Sequence, residues 1–130
     1  MEKLNDTNPN THEAIKIVDT WREKYHTDTK GNIIFQNKET LSNIFFNNHS
    51  FNLIKNRRGL DNLPETLTNP SEIWSYWDDP KKQIVTMRNY ILFGSNISYI
   101  CQTKDGKVIN AFGVTASLVN RYRKGLILIQ

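Results

Sequence analysis

The chain has 130 residues, of which 38% are hydrophobic and 11% aromatic, which suffices for the core of one domain and excludes a wholly disordered chain. We predict a flexible lead-in over residues 1–10 and a single domain over residues 11–130. Cys101 is the one cysteine, so an internal disulfide is excluded, and without a CxxC or HExxH pattern we expect neither a metal site nor a cofactor. No apolar run reaches the roughly 18 residues typical of a transmembrane helix, so we expect no membrane-spanning segment.

The net charge of +4 is distributed unevenly along the chain. Residues 1–79 contain nine Lys or Arg and twelve Asp or Glu, whereas residues 80–130 contain eight Lys or Arg and a single acid, Asp105. A basic segment attracts polyanions. The second half therefore favours a nucleic-acid partner over a basic surface without a partner.

The first predicted element is an amphipathic helix over residues 11–25. Asn10 and Glu13 have the spacing of a capping box, and the apolar residues that follow recur at helical intervals. A polar turn around Gly31 comes next, followed by a strand candidate at residues 33–35.

Helical spacing continues after this strand. It predicts a second helix over residues 39–46 and a helical segment over residues 60–67. These two predictions depend on Leu41, Ile44, Phe45, Leu60, Leu63 and Leu67. A further helix is predicted to begin at Pro70, because proline suits the first turn of a helix and Asn69 can cap it. Its packing would depend on Trp74 and Trp77.

Short runs of β-branched and aromatic residues then predict strands. The runs cover residues 84–87, 90–93, 97–102, 108–112 and 126–129. Asp105-Gly106 between two of these runs predicts a tight hairpin, and residues 114–124 fit either a helix or an ordered loop. We therefore predict an α+β fold in which N-terminal helices pack on a C-terminal antiparallel β-sheet of four or five strands.

One histidine and two arginines lie near one another in the sequence, at His49, Arg57 and Arg58. RNA can be cleaved without metal when a base deprotonates the 2′-hydroxyl, an acid protonates the departing 5′-oxygen and cations stabilise the phosphorane. Histidine suits the proton transfers and arginine suits the phosphate. His12 and His26 flank a predicted helix and are interpreted as surface residues. The alternative for the His49 region is a solvated loop.

A second basic cluster lies just before the last predicted strand. It contains Arg121, Tyr122, Arg123 and Lys124, which are residue types used for phosphate contacts and base stacking. The alternative is that Tyr122 belongs to the core and that the cations form a solvated sheet edge. Asn110 precedes the cluster and places a polar side chain near a strand end.

Residues 31–130 combine His49, an arginine at 57 or 58, and the run LPETLTNPSEIW at residues 63–74. In these features they resemble the phage barnase–EndoU–colicin–RelE-like (BECR-fold) nuclease toxin domains, since residues 63–74 are similar to a family signature. The resemblance continues through residues 110–112 (NAF) and through residues 123–128 (RKGLIL), which close the sheet. Where such domains often have Ser or Thr, this chain has Asn110, so Thr115 is taken as the substitute.

The resemblance implies a metal-independent endoribonuclease toxin domain with tRNA as the expected substrate. It also implies a cognate immunity protein or antitoxin, and action in the cytoplasm of a target cell after delivery within a larger secreted or phage protein. The expected catalytic residues are His49, Arg57 or Arg58, Thr115 and Arg123. The expected RNA-binding residues are Arg88, Asn110, Arg121, Tyr122 and Lys124. The alternatives are a non-catalytic nucleic-acid-binding module and a phage-associated interaction protein.

Overall fold

The computed structural model describes residues 3–130, so Met1 and Glu2 of the predicted lead-in lie outside the described residues. The helices are α1 (Thr11–Lys24), α2 (Asn48–Ile54) and α3 (Leu63–Thr68), with 3₁₀ segments at Leu60–Asn62 and Ala116–Tyr122. The strands are β1 (His26–Thr27), β2 (Ile33–Asn37), β3 (Ser42–Phe46), β4 (Glu72–Trp77), β5 (Thr86–Leu92), β6 (Ile97–Lys104), β7 (Lys107–Thr115) and β8 (Leu126–Ile129).

The described strands form one sheet in the order β1-β2-β3-β7-β6-β5-β4-β8. All neighbouring strands are antiparallel except β3 and β7, which are parallel. The predicted α+β class is confirmed. The prediction of four or five strands is wrong, because the sheet has eight, and three of them come from the first half of the chain.

The predicted first helix is confirmed as α1. The Asn10 side chain accepts a hydrogen bond of 2.8 Å from the Glu13 N–H, which satisfies a free donor at the start of the helix. Trp21 lies on the buried side and packs edge-on against Phe35 and Phe46, with ring centroids 5.8 and 5.3 Å away. These aromatic contacts attach α1 to β2 and β3.

The helix predicted over residues 39–46 is wrong. Leu41 lies in a tight turn with φ 54° and is 91% exposed, and residues 42–46 form β3. Ile44 and Phe46 alternate into the core because β3 pairs with β2 over five residues. The apolar positions in this short segment fit both periods, and the partner strand selected the extended one.

The helix predicted to begin at Pro70 is also wrong. Asn69 ends α3 instead of starting a helix, and residues 72–77 form β4 between β5 and β8. Trp74 is half-buried against an apolar cluster while Trp77 is 41% exposed, so the two predicted tryptophan anchors are not equivalent. The burial of Leu60, Leu63 and Leu67 in the preceding helical segment is confirmed.

The strands predicted in the second half are largely confirmed. The runs at 84–87 and 90–93 combine into β5, and Ile84 lies outside it with 73% exposure. Asp105 and Gly106 both have positive φ, 49° and 79°, as a tight two-residue hairpin requires. Residues 116–122 form a 3₁₀ segment, which resolves the choice left open for residues 114–124.

The alternation of side chains gives β4–β7 two distinct faces. The inner face contains the cross-strand row Ile73, Tyr90, Cys101 and Ala111, all of which belong to the main apolar cluster with residues of α1, α2 and α3. The residues that are adjacent to these along each strand point to the opposite side and form the rows of the outer face. A smaller apolar cluster covers one end of the outer face, where residues 116–122 pack against it.

The described part of the predicted lead-in, residues 3–10, packs on the segment between α2 and α3. Leu4 is 6% exposed within the main cluster, and the Gly59 N–H donates a 2.8 Å hydrogen bond to the Thr7 carbonyl. The flexibility of residues 1–10 and the domain limits of 11–130 stay predictions.

Gly125 and Gly31 allow a matched test of how β8 is attached to β4. Both have φ +85°, but a Cβ on Gly125 would lie 2.2 Å from the Ser75 carbonyl oxygen, whereas a Cβ on Gly31 would meet nothing within 4 Å. Gly31→Ala is expected to lower the free energy of unfolding by about 1–2 kcal/mol, the cost of a left-handed alanine. Gly125→Ala should cost roughly a further 1–3 kcal/mol, because β8 must shift to relieve the clash. Urea unfolding of both variants measures the difference, and equal losses would contradict the close approach of Gly125 to β4.

Candidate nucleic-acid interface

A row of three amide side chains crosses the outer face of the sheet. Asn89 on β5 lies opposite Gln102 on β6, which lies opposite Asn110 on β7. The Asn110 Nδ2 donates to Gln102 Oε1 at 3.3 Å, and the Gln102 Nε2 donates to Asn89 Oδ1 at 3.1 Å. The Tyr76 hydroxyl on β4 donates to the same Asn89 oxygen at 3.3 Å. We call these four side chains the amide row.

The amide row lies where the apolar cover of the outer face ends. In the neighbouring row of the outer face, Ile91 and Ile100 lie opposite each other and are buried beneath the 3₁₀ segment. The Asn89 Nδ2 donates a 2.9 Å hydrogen bond to the Tyr122 carbonyl at the end of that segment, which leaves Asn89 only 2% exposed. Gln102 and Asn110 are half-buried, so their polar atoms line the boundary between the covered and the open surface.

The segment after the 3₁₀ turn is clamped to β4 by an ion pair. The Arg123 guanidinium binds the Glu72 carboxylate through two hydrogen bonds, of 2.8 and 3.0 Å, and the Trp74 indole N–H donates a third of 2.9 Å. Partial burial raises the pKa of Glu72, but these hydrogen bonds and the charge of Arg123 outweigh it, so the pKa lies below its ordinary value of 4.5. Glu72 is therefore ionised at neutral pH.

This clamp places Lys124 beside the amide row. Its ammonium lies 4.6 Å from the centre of the Tyr76 ring, within the range of a cation–π contact. Burial raises the pKa of Tyr76 above 10.0 although the Asn89 hydrogen bond opposes the change, so the phenol is neutral at physiological pH. Lys104 and Lys107 are paired at the outer-face position beyond the amide row, which adds positive charge there.

The arrangement can bind a phosphate and donate a proton. Lys124 supplies a cation, Tyr76 a hydroxyl donor, and Gln102 and Asn110 hydrogen-bonding groups for a sugar or base. Glu72 is four residues from Tyr76 on the same strand, which is about 13 Å in extended chain. The Glu72–Arg123 pair therefore holds the segment in position and is too distant to share one phosphate with Tyr76.

Four of the predicted residues meet at this surface: Asn110, Tyr122, Arg123 and Lys124. Arg123 is bound to Glu72, and Tyr122 packs on Phe112 with ring centroids 5.1 Å apart. The Tyr122 ring lies against the smaller apolar cluster, which supports the alternative that Tyr122 belongs to a core. Its backbone carbonyl accepts the hydrogen bond from Asn89 of the amide row. The side chain of Arg121 is exposed on the same segment.

His49 lies on the other side of the sheet. It is the exposed second residue of α2, whose capping box is formed by Asn47 and Ser50. The Ser50 hydroxyl donates a 2.6 Å hydrogen bond to the Val108 carbonyl and so ties α2 to β7. His49 lines a hollow with Asn47, Asn48, Arg22 and residues 30–32, which includes no other predicted site residue.

The remaining predicted catalytic residues are Thr115, at the end of β7, and Arg57 and Arg58, in the segment after α2. The Arg58 guanidinium binds the Asp6 carboxylate. The backbone carbonyl of Arg58 lies near Gly113, which precedes Thr115 by two residues. The Thr115 hydroxyl contacts the Ser117 hydroxyl at 3.3 Å. Arg57 is exposed in the turn after α2. The structure therefore does not bring His49, Thr115 and Arg123 into one site.

Sequence reasoning missed Glu72, Tyr76, Asn89 and Gln102. Asn89 separates two predicted apolar runs and Gln102 ends a third, and an uncharged polar residue at such a place is a signal of a hydrogen-bonded group on the sheet. Among residues 3–130, no group of three or more His, Cys, Asp or Glu side chains is arranged to hold a metal ion. Within the same range, no helix combines the length and the apolar character needed to cross a membrane.

Comparison with protein families found one match that covers nearly the whole chain. The model of a family described as phage-Barnase-EndoU-ColicinE5/D-RelE like nuclease2 matches residues 10–130. Comparisons with curated proteins and with solved structures found no significant match.

The Glu72–Arg123 clamp predicts a pH-dependent loss of stability in Glu72→Gln. Because the pKa of Glu72 is lowered on folding, its stabilisation is present above the unfolded value near 4.5 and disappears as the pH falls through the folded value. At pH 7 the variant should lose about 1 kcal/mol of unfolding free energy, because solvent screens a partly exposed ion pair. Urea unfolding from pH 7 down to about 3 should show this gap closing. A gap that is constant with pH would contradict the clamp.

Proposed function

Because the chain belongs to the phage-Barnase-EndoU-ColicinE5/D-RelE like nuclease2 family, we propose that it is an endoribonuclease that binds RNA across the outer face of its sheet. The observation that carries this proposal is the amide row beside Lys124, at the open end of the outer face. Nucleic acid is also favoured by the excess of Lys and Arg after residue 80.

The chemistry available at the amide row suits cleavage by the neighbouring 2′-hydroxyl. Lys124 stabilises the negative charge that builds up on the phosphorane, because its ammonium lies beside the hydroxyl-bearing Tyr76 ring. The neutral Tyr76 hydroxyl donates its proton to the departing 5′-oxygen. Gln102 and Asn110 hold the ribose or base of the adjoining nucleotide through the remaining N–H bonds and lone pairs of their amide groups. The 2′-hydroxyl proton passes to solvent water as the 2′-oxygen bonds to phosphorus and the P–O5′ bond breaks, and solvent returns a proton to the Tyr76 phenolate afterwards.

Arg123 acts in this proposal as a positioning residue. Its guanidinium fork is occupied by Glu72, and this ion pair fixes the backbone from which Lys124 reaches Tyr76. Arg121, exposed on the same segment, contacts the RNA backbone at a distance from the scissile phosphate.

The further expectations from the resemblance complete the proposal. Transfer RNA is the proposed substrate, and the site of action is the cytoplasm of a target cell, where that RNA is found. A cognate immunity protein or antitoxin covers the outer face in the producing cell, because an active ribonuclease would damage its host. Such a partner would be acidic, to complement Lys104, Lys107 and Lys124.

Tyr76→Phe tests the catalytic part. It removes one hydroxyl from the amide row and should lower the rate of RNA cleavage about 100-fold, the usual contribution of a positioned proton donor. The assay follows end-labelled tRNA and total RNA in EDTA and looks for fragments ending in 2′,3′-cyclic phosphate. Tyr25→Phe is the matched control, because Tyr25 packs on Phe35 in the inner layer.

His49→Ala is assayed beside these variants because His49 is the predicted alternative catalyst. Full activity in Tyr76→Phe with complete loss in a folded His49→Ala would move catalysis to the start of α2 and refute the outer-face site. Salt-sensitive RNA binding without any fragment would instead favour the non-catalytic binding module.

Lys124→Ala tests phosphate binding separately from cleavage. Removal of one phosphate contact should flatten the plot of log affinity against log salt by about 0.7 for single-stranded RNA. Lys38→Ala, which removes an exposed lysine from the turn between β2 and β3, should leave the slope unchanged. Equal slopes for both variants would mean that Lys124 contacts no phosphate.

A further inference from the structure

The inner face has an open end that the helices leave uncovered. Beyond the row that contains Tyr90, the next cross-strand row consists of Ser75, Arg88 and Thr103. Two hollows, of about 370 and 610 Å³, meet at this row, and Thr86 and Arg88 line both of them. Their sizes fall within the range of small-molecule sites. We call this region the Arg88 cleft.

Arg88 is a half-buried cation without a counter-ion among the described residues. Its Nη1 donates to the Ser42 hydroxyl at 3.0 Å and to the Tyr90 hydroxyl at 3.4 Å. Burial raises the pKa of Tyr90, although Arg88 opposes the change, so the phenol is neutral and supplies no compensating charge. A guanidinium has five N–H donors, and most of those of Arg88 are available to a ligand.

The nearest acid in the cleft does not neutralise Arg88. Asp105 lines the smaller hollow, but its carboxylate accepts a 3.2 Å hydrogen bond from the Thr86 N–H and forms no ion pair with Arg88. Arg58 and Arg123, in contrast, each bind a carboxylate. Arg88 is thus arranged as an arginine that receives an anion from outside the chain.

The larger hollow has an apolar wall next to this cation. Trp77, Leu126 and Leu128 line it and are 41%, 67% and 38% exposed. An exposed indole flanked by aliphatic side chains is a surface on which a planar ring can stack. Lys124 borders the same hollow and adds a second positive charge.

We propose that the Arg88 cleft binds a nucleotide unit, with its phosphate on Arg88 and its base against Trp77, Leu126 and Leu128. The inference rests on the proposed function for the class of its ligand. It adds a second contact for nucleic acid at the open end of the inner face, and the larger hollow reaches Tyr76 and Lys124 of the outer-face site at the sheet edge. The unit is either a free mononucleotide or one nucleotide of a bound RNA strand, since both present a phosphate linked to a planar base.

The test is calorimetric titration of the full chain with 5′-AMP, adenosine and inorganic phosphate. The dissociation constant of 5′-AMP should be about 1 mM or lower, with each separate half bound at least tenfold more weakly. Arg88→Gln should weaken 5′-AMP binding at least tenfold and leave adenosine unchanged, whereas Arg88→Lys, which keeps the charge but loses the fork, should be intermediate. Arg22→Gln, an exposed arginine on α1, is the matched control and should bind 5′-AMP normally.

Intrinsic fluorescence locates the base. Stacking on Trp77 should change the emission with 5′-AMP, and Trp77→Phe should lose that change. A 2′-O-methyl oligoadenylate, which cannot undergo attack by a 2′-hydroxyl, distinguishes the sources. If Arg88→Gln weakens the binding of the oligonucleotide as much as the binding of 5′-AMP, the cleft holds a nucleotide of the strand. If the substitution weakens only the binding of 5′-AMP, the ligand is the free nucleotide.

Two results would overturn the inference. One is 5′-AMP binding no tighter than adenosine or phosphate, and the other is an unchanged 5′-AMP affinity in both Arg88 variants and in Trp77→Phe. Tyr76 also lines the larger hollow, but Tyr76→Phe keeps the ring and removes only the hydroxyl, so this variant should bind 5′-AMP normally. The predicted loss of cleavage in Tyr76→Phe and the predicted loss of nucleotide binding in Arg88→Gln can therefore be confirmed or refuted independently.

Discussion

The alternation of side chains along β4–β7 is the constraint on which the rest of the structure depends. Ile73, Tyr90, Cys101 and Ala111 occupy one cross-strand row and face the helices. A shift of one residue in any of these pairings would turn an apolar row toward solvent and bury the amides. The same register that builds the core therefore also aligns the amide row on the opposite face.

The segment after β7 converts this two-sided sheet into a surface with a covered end and an open end. Residues 116–122 cover the apolar part of the outer face, and the Glu72–Arg123 ion pair then holds the chain against β4 until Gly125 permits the turn into β8. Lys124 lies between these two attachments, and its ammonium is 4.6 Å from the centre of the Tyr76 ring. An ion pair that is partly exposed contributes modestly to stability, so its main effect here is on position.

Arg58, Arg88 and Arg123 illustrate how environment separates residues of one type. Arg58 binds Asp6 and fastens the N-terminal segment, Arg123 binds Glu72 and fastens the last strand, and Arg88 has no acidic partner among the described residues. Identical side chains thus act as structural clamps in two places and offer free hydrogen-bond donors in a third. This distinction depends on which carboxylate the fold brings near, because the sequence separations are 52 and 51 residues.

Local signals in the sequence were sufficient where neighbours along the chain decide the structure. The cap at Asn10, the Asp105-Gly106 hairpin and the α+β class could be predicted, because capping, turn chemistry and long periodic runs act over a few residues. Residues 42–46 and 72–77 could not, because short apolar runs fit a helix or a strand and the partner strands decided between them.

The sequence by itself determined the chemistry available for the site: the basic second half, the resemblance to the nuclease family that the match over residues 10–130 then established, and the cluster at residues 121–124. Only the tertiary structure decided which of these groups meet. It placed Asn110 beside Gln102 and Lys124 beside Tyr76, and it put His49 on the other side of the sheet. The reason is that a sheet brings together residues that are distant in sequence, according to strand order and register, and neither can be read from any single segment.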